Sequence, residues 1–269
     1  MDGKVTILGC GSALPTFQNS PSGQILNLSD KTFLIDCGEG VQLTMRQMGI
    51  KTARLYSVFI SHLHGDHCFG LLGLLTTLDM MNRTQPLHIY AHADLEKLLR
   101  PQMEYHLQGM KYEVVFHAIN PRKREVIFAD RTVTVETIPL KHKVPCCGFL
   151  FTEHHRKQNA ETKEFYEETR KRYAYCSDTL YNERIIEQIA GVDLLFHEAT
   201  FTDAWESRCK ITMHATARQA GKIARQAEVK QLLIGHYSSR VDDHTEFLKE
   251  AQEEFENTLM AVERETYTF

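Results

Sequence analysis

Apolar positions recur with two periods along the chain. Val5, Ile7 and Leu8 mark a strand over 4–8 that ends in the tight turn Gly9-Cys10-Gly11-Ser12. Segments 24–28 and 32–35 read as a hairpin turning at Ser29-Asp30-Lys31, and 41–48 as a helix closed by Gly49. An apolar run over 55–60, rich in β-branched and aromatic residues, predicts a buried strand. A second apolar run predicts a helix from Cys68 to about Leu78. A strand at 86–90 and a helix over 94–107 follow, with Pro101 set to kink or split that helix. Strands are expected at 112–118, 125–129 and 132–138.

The pattern shifts after the strand at 148–151. The tract 152–172 is polar and rich in Glu, Lys and Arg, with too thin an apolar stripe to bury. It predicts a solvated helix or a mobile protrusion near the edge that carries the strand ends on either side of it. Regular order resumes with a strand at 173–176, a helix near 181–190 and a strand at 193–196. A helix from about 216 to 226, a strand at 231–235, a helix near 243–252 and a last strand near 258–264 complete the chain. Strands come in runs and then alternate with helices, in both halves. That order predicts an α/β fold in which two sheets pack face to face with helices outside.

The chemistry is concentrated in Ser61-His62-Leu63-His64-Gly65-Asp66-His67, between the strand at 55–60 and the following helix. Neutral imidazole and carboxylate together suit zinc. In extended backbone His62 and His64 point the same way, and Gly65 is read as allowing a sharp turn. Asp66 and His67 follow that turn and can serve a neighbouring position, so the spacing predicts two ions side by side. The remaining ligands are expected at strand ends on the same edge. His142 follows the strand ending near 138, Asp178 follows 173–176, and His236 follows 231–235. A carboxylate such as Asp178 can bridge two ions.

The metal loop resembles the signature of the metallo-β-lactamase superfamily, which implies a four-layer αββα sandwich. Further stretches narrow the likeness: Pro139-Leu140-Lys141-His142-Lys143, Ser177-Asp178-Thr179, His197-Glu198-Ala199-Thr200, His214-Ala215-Thr216-Ala217 and Gly235-His236-Tyr237-Ser238. In this order, from Val5 to the end, they resemble the ribonuclease Z family of tRNA 3′-processing endonucleases. The resemblance implies one zinc on His62, His64 and His142, another on Asp66, His67 and His236, and Asp178 bridging. It also implies precursor tRNA as substrate and a homodimer. Two features depart from the family. The loop Pro15-Thr16-Phe17-Gln18-Asn19-Ser20 has no basic residue, and a short polar tract stands where the family carries a long arm that clamps tRNA.

The chemistry so implied is phosphodiester hydrolysis. Asp66 would ligate an ion and aim the attacking water, His214 held by Glu198 would protonate the leaving 3′-oxygen, and Arg240 would neutralise phosphate charge. Asp36 is expected to hydrogen-bond backbone behind the metal loop, and His197 to brace its own loop. Alternative readings are a phosphodiesterase for small phosphodiesters on the same fold and a non-catalytic RNA-binding protein; the complete ligand set argues against the latter.

Composition changes this picture little. A net charge of −4 excludes a globally basic nucleic-acid coat but permits local patches, of which Arg122-Lys123-Arg124, Lys141 with Lys143, and Arg170-Lys171-Arg172 are candidates. No apolar run is long enough to span a membrane, and the first residues enter a strand without the layout of a signal peptide. The 7 cysteines include no Cys-x-x-Cys pair, which predicts reduced thiols in a cytoplasmic protein.

Overall fold

The computed structural model describes residues 2–158, 165–241 and 243–269. Its first half runs β1 (Lys4–Gly9), β2 (Gly11–Ser12), β3 (Gly23–Leu28), β4 (Lys31–Cys37), α1 (Val41–Gln47), β5 (Leu55–Phe59), α2 (Gly65–Cys68), α3 (Leu71–Met80), β6 (Leu87–His92), α4 (Asp94–His106) and β7 (Val114–Ile119). The second half runs β8 (Val126–Ala129), β9 (Val133–Pro139), β10 (Cys147–Gln158), β11 (Phe165–Cys176), α5 (Ile186–Ile189), β12 (Leu194–Glu198), α6 (Glu206–Thr212), α7 (Ala217–Gln226), β13 (Leu232–Gly235), β14 (Tyr237–Ser238), α8 (Thr245–Gln252), β15 (Thr258–Met260) and β16 (Thr266–Thr268). Two seven-stranded sheets result, ordered β16-β1-β3-β4-β5-β6-β7 and β15-β13-β12-β11-β10-β9-β8.

The period-two pattern places each residue on a face. Phe33 and Ile35 of β4 join Val5, Phe59, Val135, Phe149, Phe151 and Tyr173 in the core between the sheets. Leu34, between them in sequence, points the other way, to a second core with Val41, Leu71, Leu74, Leu75, Leu95 and Leu99 beneath α1, α3 and α4. Ala217, Ala220, Ile223 and Ala224 of α7 cover the outer face of the other sheet. The layers are therefore helix, sheet, sheet, helix, as expected.

Three local expectations change, and the alternative left open at Pro101 is narrowed, since helix α4 runs through it without splitting. The last strand is two: β15 pairs with β13, whereas β16 crosses over to pair with β1. Helix α6 was not anticipated, because seven residues with a single buried position, Cys209, leave no apolar stripe to read. The largest difference concerns 152–172. This tract is no helix: β10 and β11 pair antiparallel from Phe149↔Tyr175 out to Gln158↔Phe165. β9 supports β10 only as far as Glu153, and β12 supports β11 only from Tyr173 onward, so the outer part is a two-stranded ribbon. Its tip, 159–164, and the mobility expected there lie outside the described residues.

The direction of that ribbon corrects another expectation. Cys147 at the start of β10 donates its N–H to the Ser61 carbonyl at 3.1 Å, and Cys176 at the end of β11 leads into Asp178. Both strands thus have the metal loop at one end and the ribbon at the other. The 12 residues of β10, stepping ~3.3 Å from one to the next, put the far end roughly 35 Å from the catalytic edge, not beside it.

Candidate metal centre

Every predicted ligand comes from a strand end or the loop after it, on one edge of the sandwich. β5 delivers the loop 61–67, β9 delivers His142, β11 delivers Asp178 and β13 delivers His236. Asp36, at the end of β4, fixes the first of these. It is fully buried and sits at φ 55°, a left-handed conformation that an Asp tolerates better than most residues. Its Oδ1 accepts the Ser61 N–H at 2.8 Å. Its Oδ2 accepts the Ser61 hydroxyl at 2.8 Å and the Tyr175 hydroxyl at 2.7 Å, and lies 2.7 Å from His67 Nδ1. The expected contact behind the loop is present, and Tyr175 ties it to the second sheet.

Two groups of potential ligand atoms converge. In the first, His62 Nε2 lies 3.0 Å from His64 Nδ1 and 3.5 Å from Asp178 Oδ2. His142 Nε2 is 3.2 Å from His64 Nδ1 and 3.6 Å from Asp178 Oδ2. In the second, His67 Nε2 and His236 Nε2 are each 3.3 Å from Asp178 Oδ1, and 3.5 and 3.6 Å from Asp66 Oδ2. A tetrahedral zinc with bonds of ~2.0–2.1 Å separates its ligand atoms by about 3.3 Å. Both groups fit that spacing, with one oxygen of Asp178 facing each.

The unused donors and acceptors fit as well. His67 Nε2, His236 Nε2 and Asp178 Oδ1 are buried without a hydrogen-bond partner. Asp36, Asp178 and Glu198 are all buried in this cluster, and buried charge of one sign requires a compensating cation. The other ring nitrogens are engaged from behind: His62 Nδ1 with Ser61 Oγ at 3.0 Å, His142 Nδ1 with the Met213 carbonyl at 2.9 Å, and His236 Nδ1 with Thr200 Oγ1 at 2.9 Å. Such contacts orient each ring with Nε2 toward the ion. Burial holds His62 down at about 4, so its imidazole is neutral. Burial opposes ionisation of Asp178, but His236, His67 and His62 hold its carboxyl well below the usual range.

Beside this cluster stands a proton-handling pair. His214 Nδ1 lies 2.9 Å from Glu198 Oε1, and its Nε2 lies 4.0 Å from Asp178 Oδ2. Glu198 is buried and also accepts N–H groups from Thr179 at 2.8 Å and Thr200 at 3.0 Å. Burial pulls His214 down, but the carboxylates of Glu198 and Asp178 outweigh it and raise the ring to about 9. Thr200, not singled out from sequence, joins both parts: its hydroxyl donates to Glu198 Oε2 at 2.7 Å and lies 3.2 Å from His214 Nδ1 and 2.9 Å from His236 Nδ1. The signal was its place in His197-Glu198-Ala199-Thr200. Arg240 is exposed and does not line the site cavity, so it stands apart from the residues with which it was grouped. His197 is buried and its Nδ1 meets the Glu198 carbonyl at 2.7 Å, a bracing contact as expected.

Gly65 corrects the reading of a sharp turn. It opens α2 with ordinary negative φ. What it provides is room, because a Cβ there would meet the Phe69 ring at 2.6 Å.

Comparison with known proteins places this arrangement. A family model described as anti-Pycsar protein Apyc1 matches residues 3–258. Ribonuclease Z of Phocaeicola vulgatus is 49% identical, over 97% of this chain and 95% of that protein. Ribonuclease Z of Azobacteroides pseudotrichonymphae is 47% identical, over 97% and 96%. The crystal structure of the short form of human tRNase Z superimposes with a TM-score of 0.81 at 25% identity, covering 98% of each chain. With close relatives along nearly its whole length and a His/Asp cluster suited to divalent metal, the chain belongs to the ribonuclease Z family of the metallo-β-lactamase fold.

Proposed function

We propose that this protein is an endoribonuclease that removes the 3′ trailer from precursor tRNA, with two zinc ions held by His62, His64 and His142 and by Asp66, His67 and His236, and bridged by Asp178. The observation that carries the reading is the pair of ligand groups sharing the two oxygens of Asp178. Bound there, such a pair of ions would lower the pKa of an attacking water and offset charge on the phosphoryl oxygens.

The chain's own groups divide the remaining work. His214, raised to about 9, is imidazolium at neutral pH and carries a proton on Nε2 toward the cavity. Glu198 fixes the ring through Nδ1, so that proton is aimed at the leaving 3′-oxygen. The products are a tRNA 3′-hydroxyl and a 5′-phosphorylated trailer. Asp66 ligates and orients the attacking water. Arg240, exposed at the rim, meets a phosphate only when a long RNA lies across the surface.

Precursor tRNA needs a track beyond the scissile bond. Arg124, Lys141 and Arg184 line a cavity of about 1020 Å³ that adjoins His142 through Lys141. Lys143 lines the metal cavity itself. These cations suit RNA phosphates. The ribbon of β10 and β11, roughly 35 Å from its own site, serves RNA held by the partner subunit of a homodimer. We place the enzyme in the cytoplasm: all seven cysteines are buried and free, and among the described residues no helix is long and apolar enough to cross a membrane.

The decisive assay is incubation with precursor tRNA, mature tRNA and a chromogenic phosphodiester. Endonucleolytic release of an intact trailer is the expected result. Hydrolysis of the small phosphodiester alone would favour a small-molecule phosphodiesterase, and no hydrolysis of either would favour an RNA-binding protein.

A further inference from the structure

The metal cavity, about 500 Å³, is lined from two sources of different chemistry. His142, Lys143, Thr212 and His214 contribute polar and cationic groups. Ala13, Pro15, Pro21 and Phe69 contribute an apolar wall, and the exposed carboxylate of Glu39 lines the same cavity. The loop over 13–22 has no charged residue, yet it is pinned to the centre, since the Ala13 N–H donates to Asp66 Oδ2 at 2.8 Å. A wall without a cation does not hold a scissile phosphate. It requires an occupant with an apolar face.

Phe69 is the principal surface of that wall. Its side chain is 74% exposed, an unusual state for a phenylalanine two residues after a buried histidine. No ring contact is recorded for it, whereas most other aromatic residues of the chain pack against one another. Its position is nevertheless prepared. The ring lies against Gly65, where any Cβ would approach ring carbons at 2.6 to 2.9 Å, and Gly65 has no backbone reason to be glycine.

We infer that Phe69, with Pro15 lining the same cavity, is the stacking platform for the first nucleobase of the trailer. The inference rests on the endonuclease reading above. His214 protonates the 3′-oxygen of the tRNA, so the tRNA nucleotide occupies the polar side of the cavity with that residue. The phosphate stays with the trailer, whose first nucleotide is left the apolar side. A base presents a π-face whatever its identity, which suits an enzyme whose trailers differ in sequence.

The test is a cycle between protein and substrate. Precursor tRNA is prepared with an intact or an abasic first trailer nucleotide and cleaved by wild-type protein, Phe69→Ala and Phe69→Trp. Zinc content and melting temperature are recorded for each protein. On intact precursor, Phe69→Ala should raise KM by roughly 10-fold, the scale of one lost base–aromatic stack, with kcat little changed. The abasic precursor should cost wild-type protein about the same factor, and Phe69→Ala little more. Phe69→Trp should behave as wild type. Equal losses by Phe69→Ala on both precursors, or an abasic precursor bound by wild-type protein as well as the intact one, would overturn the inference. The second of these comparisons needs no variant to fold. If wild-type protein cleaves neither precursor, the endonuclease reading itself fails, and the platform with it.

Discussion

The two ligand groups that meet at Asp178 are built differently. The group of His62, His64 and His142 is all imidazole. His62 leans on one hydroxyl and His142 on one carbonyl, and among the described residues nothing is recorded behind His64 Nε2. The group of Asp66, His67 and His236 contains a carboxylate and two buried rings. Its two rings are held from behind, His67 by the carboxylate of Asp36 and His236 by Thr200, while the Ala13 N–H meets the same Asp66 oxygen that faces them. The lesson is that similar ligand spacing does not make equal sites. The backing differs, and backing of this kind changes metal affinity by about 10–100-fold. The second group should therefore hold its ion longer against a chelator.

The harshest way to break the comparison is to remove what the groups share. Asp178→Ala should abolish cleavage and lose both ions, read by elemental analysis; one zinc retained at full occupancy would refute the bridge. Next comes the residue that belongs to neither group. His214→Ala should keep both ions yet cleave precursor tRNA about 10²–10⁴-fold more slowly, and a nitrophenolate leaving group, which needs no proton, should recover much of the loss. Equal losses on both substrates would make His214 a metal-linked residue. Asp36→Asn then tests the backing. Asp36 meets His67 directly and His62 only through the Ser61 hydroxyl, so the ion held by Asp66, His67 and His236 should weaken the more, by about 10–100-fold in chelator competition, and equal weakening of both ions would erase the asymmetry. Smallest is the effect of replacing residues 154–168 with a short Gly/Ser linker. Zinc content and turnover of a small phosphodiester should hold, while KM for precursor tRNA rises and its salt dependence flattens.

The sequence made the centre legible because metal chemistry restricts residue types so severely. Four ligands within 62–67, and three more just past strands, left few other uses for them. The layers were legible because Phe33, Leu34 and Ile35 must sort themselves between two buried faces. What stayed hidden had no such restriction. The outer ribbon of β10 and β11 lacks a flanking strand on either side, so its residues carry no alternation to read. Crossing of β16 to the first sheet depends on where β1 lies in space, which local pattern does not encode. Gly65 was read as a turn because its neighbour in space, Phe69, is visible only once the helix is built. Arg240 was grouped with the site through the family stretch from Gly235 to Arg240, and in the structure it is exposed, which the stretch alone does not tell.

Asp178, His142 and His236 descend from the second sheet, whereas His62, His64, Asp66 and His67 descend from the first. Each ligand group therefore draws on both halves of the sandwich, and a metal bound there would act as a clasp across it. Occupancy and closure of the halves become one linked equilibrium: an ion present at 1,000 times its dissociation constant adds about 4 kcal/mol to the stability of the closed form. A chelator should then also act as a denaturant. The melting temperature should fall in two steps as the two ions leave, that of the all-imidazole group first, and return when zinc is restored.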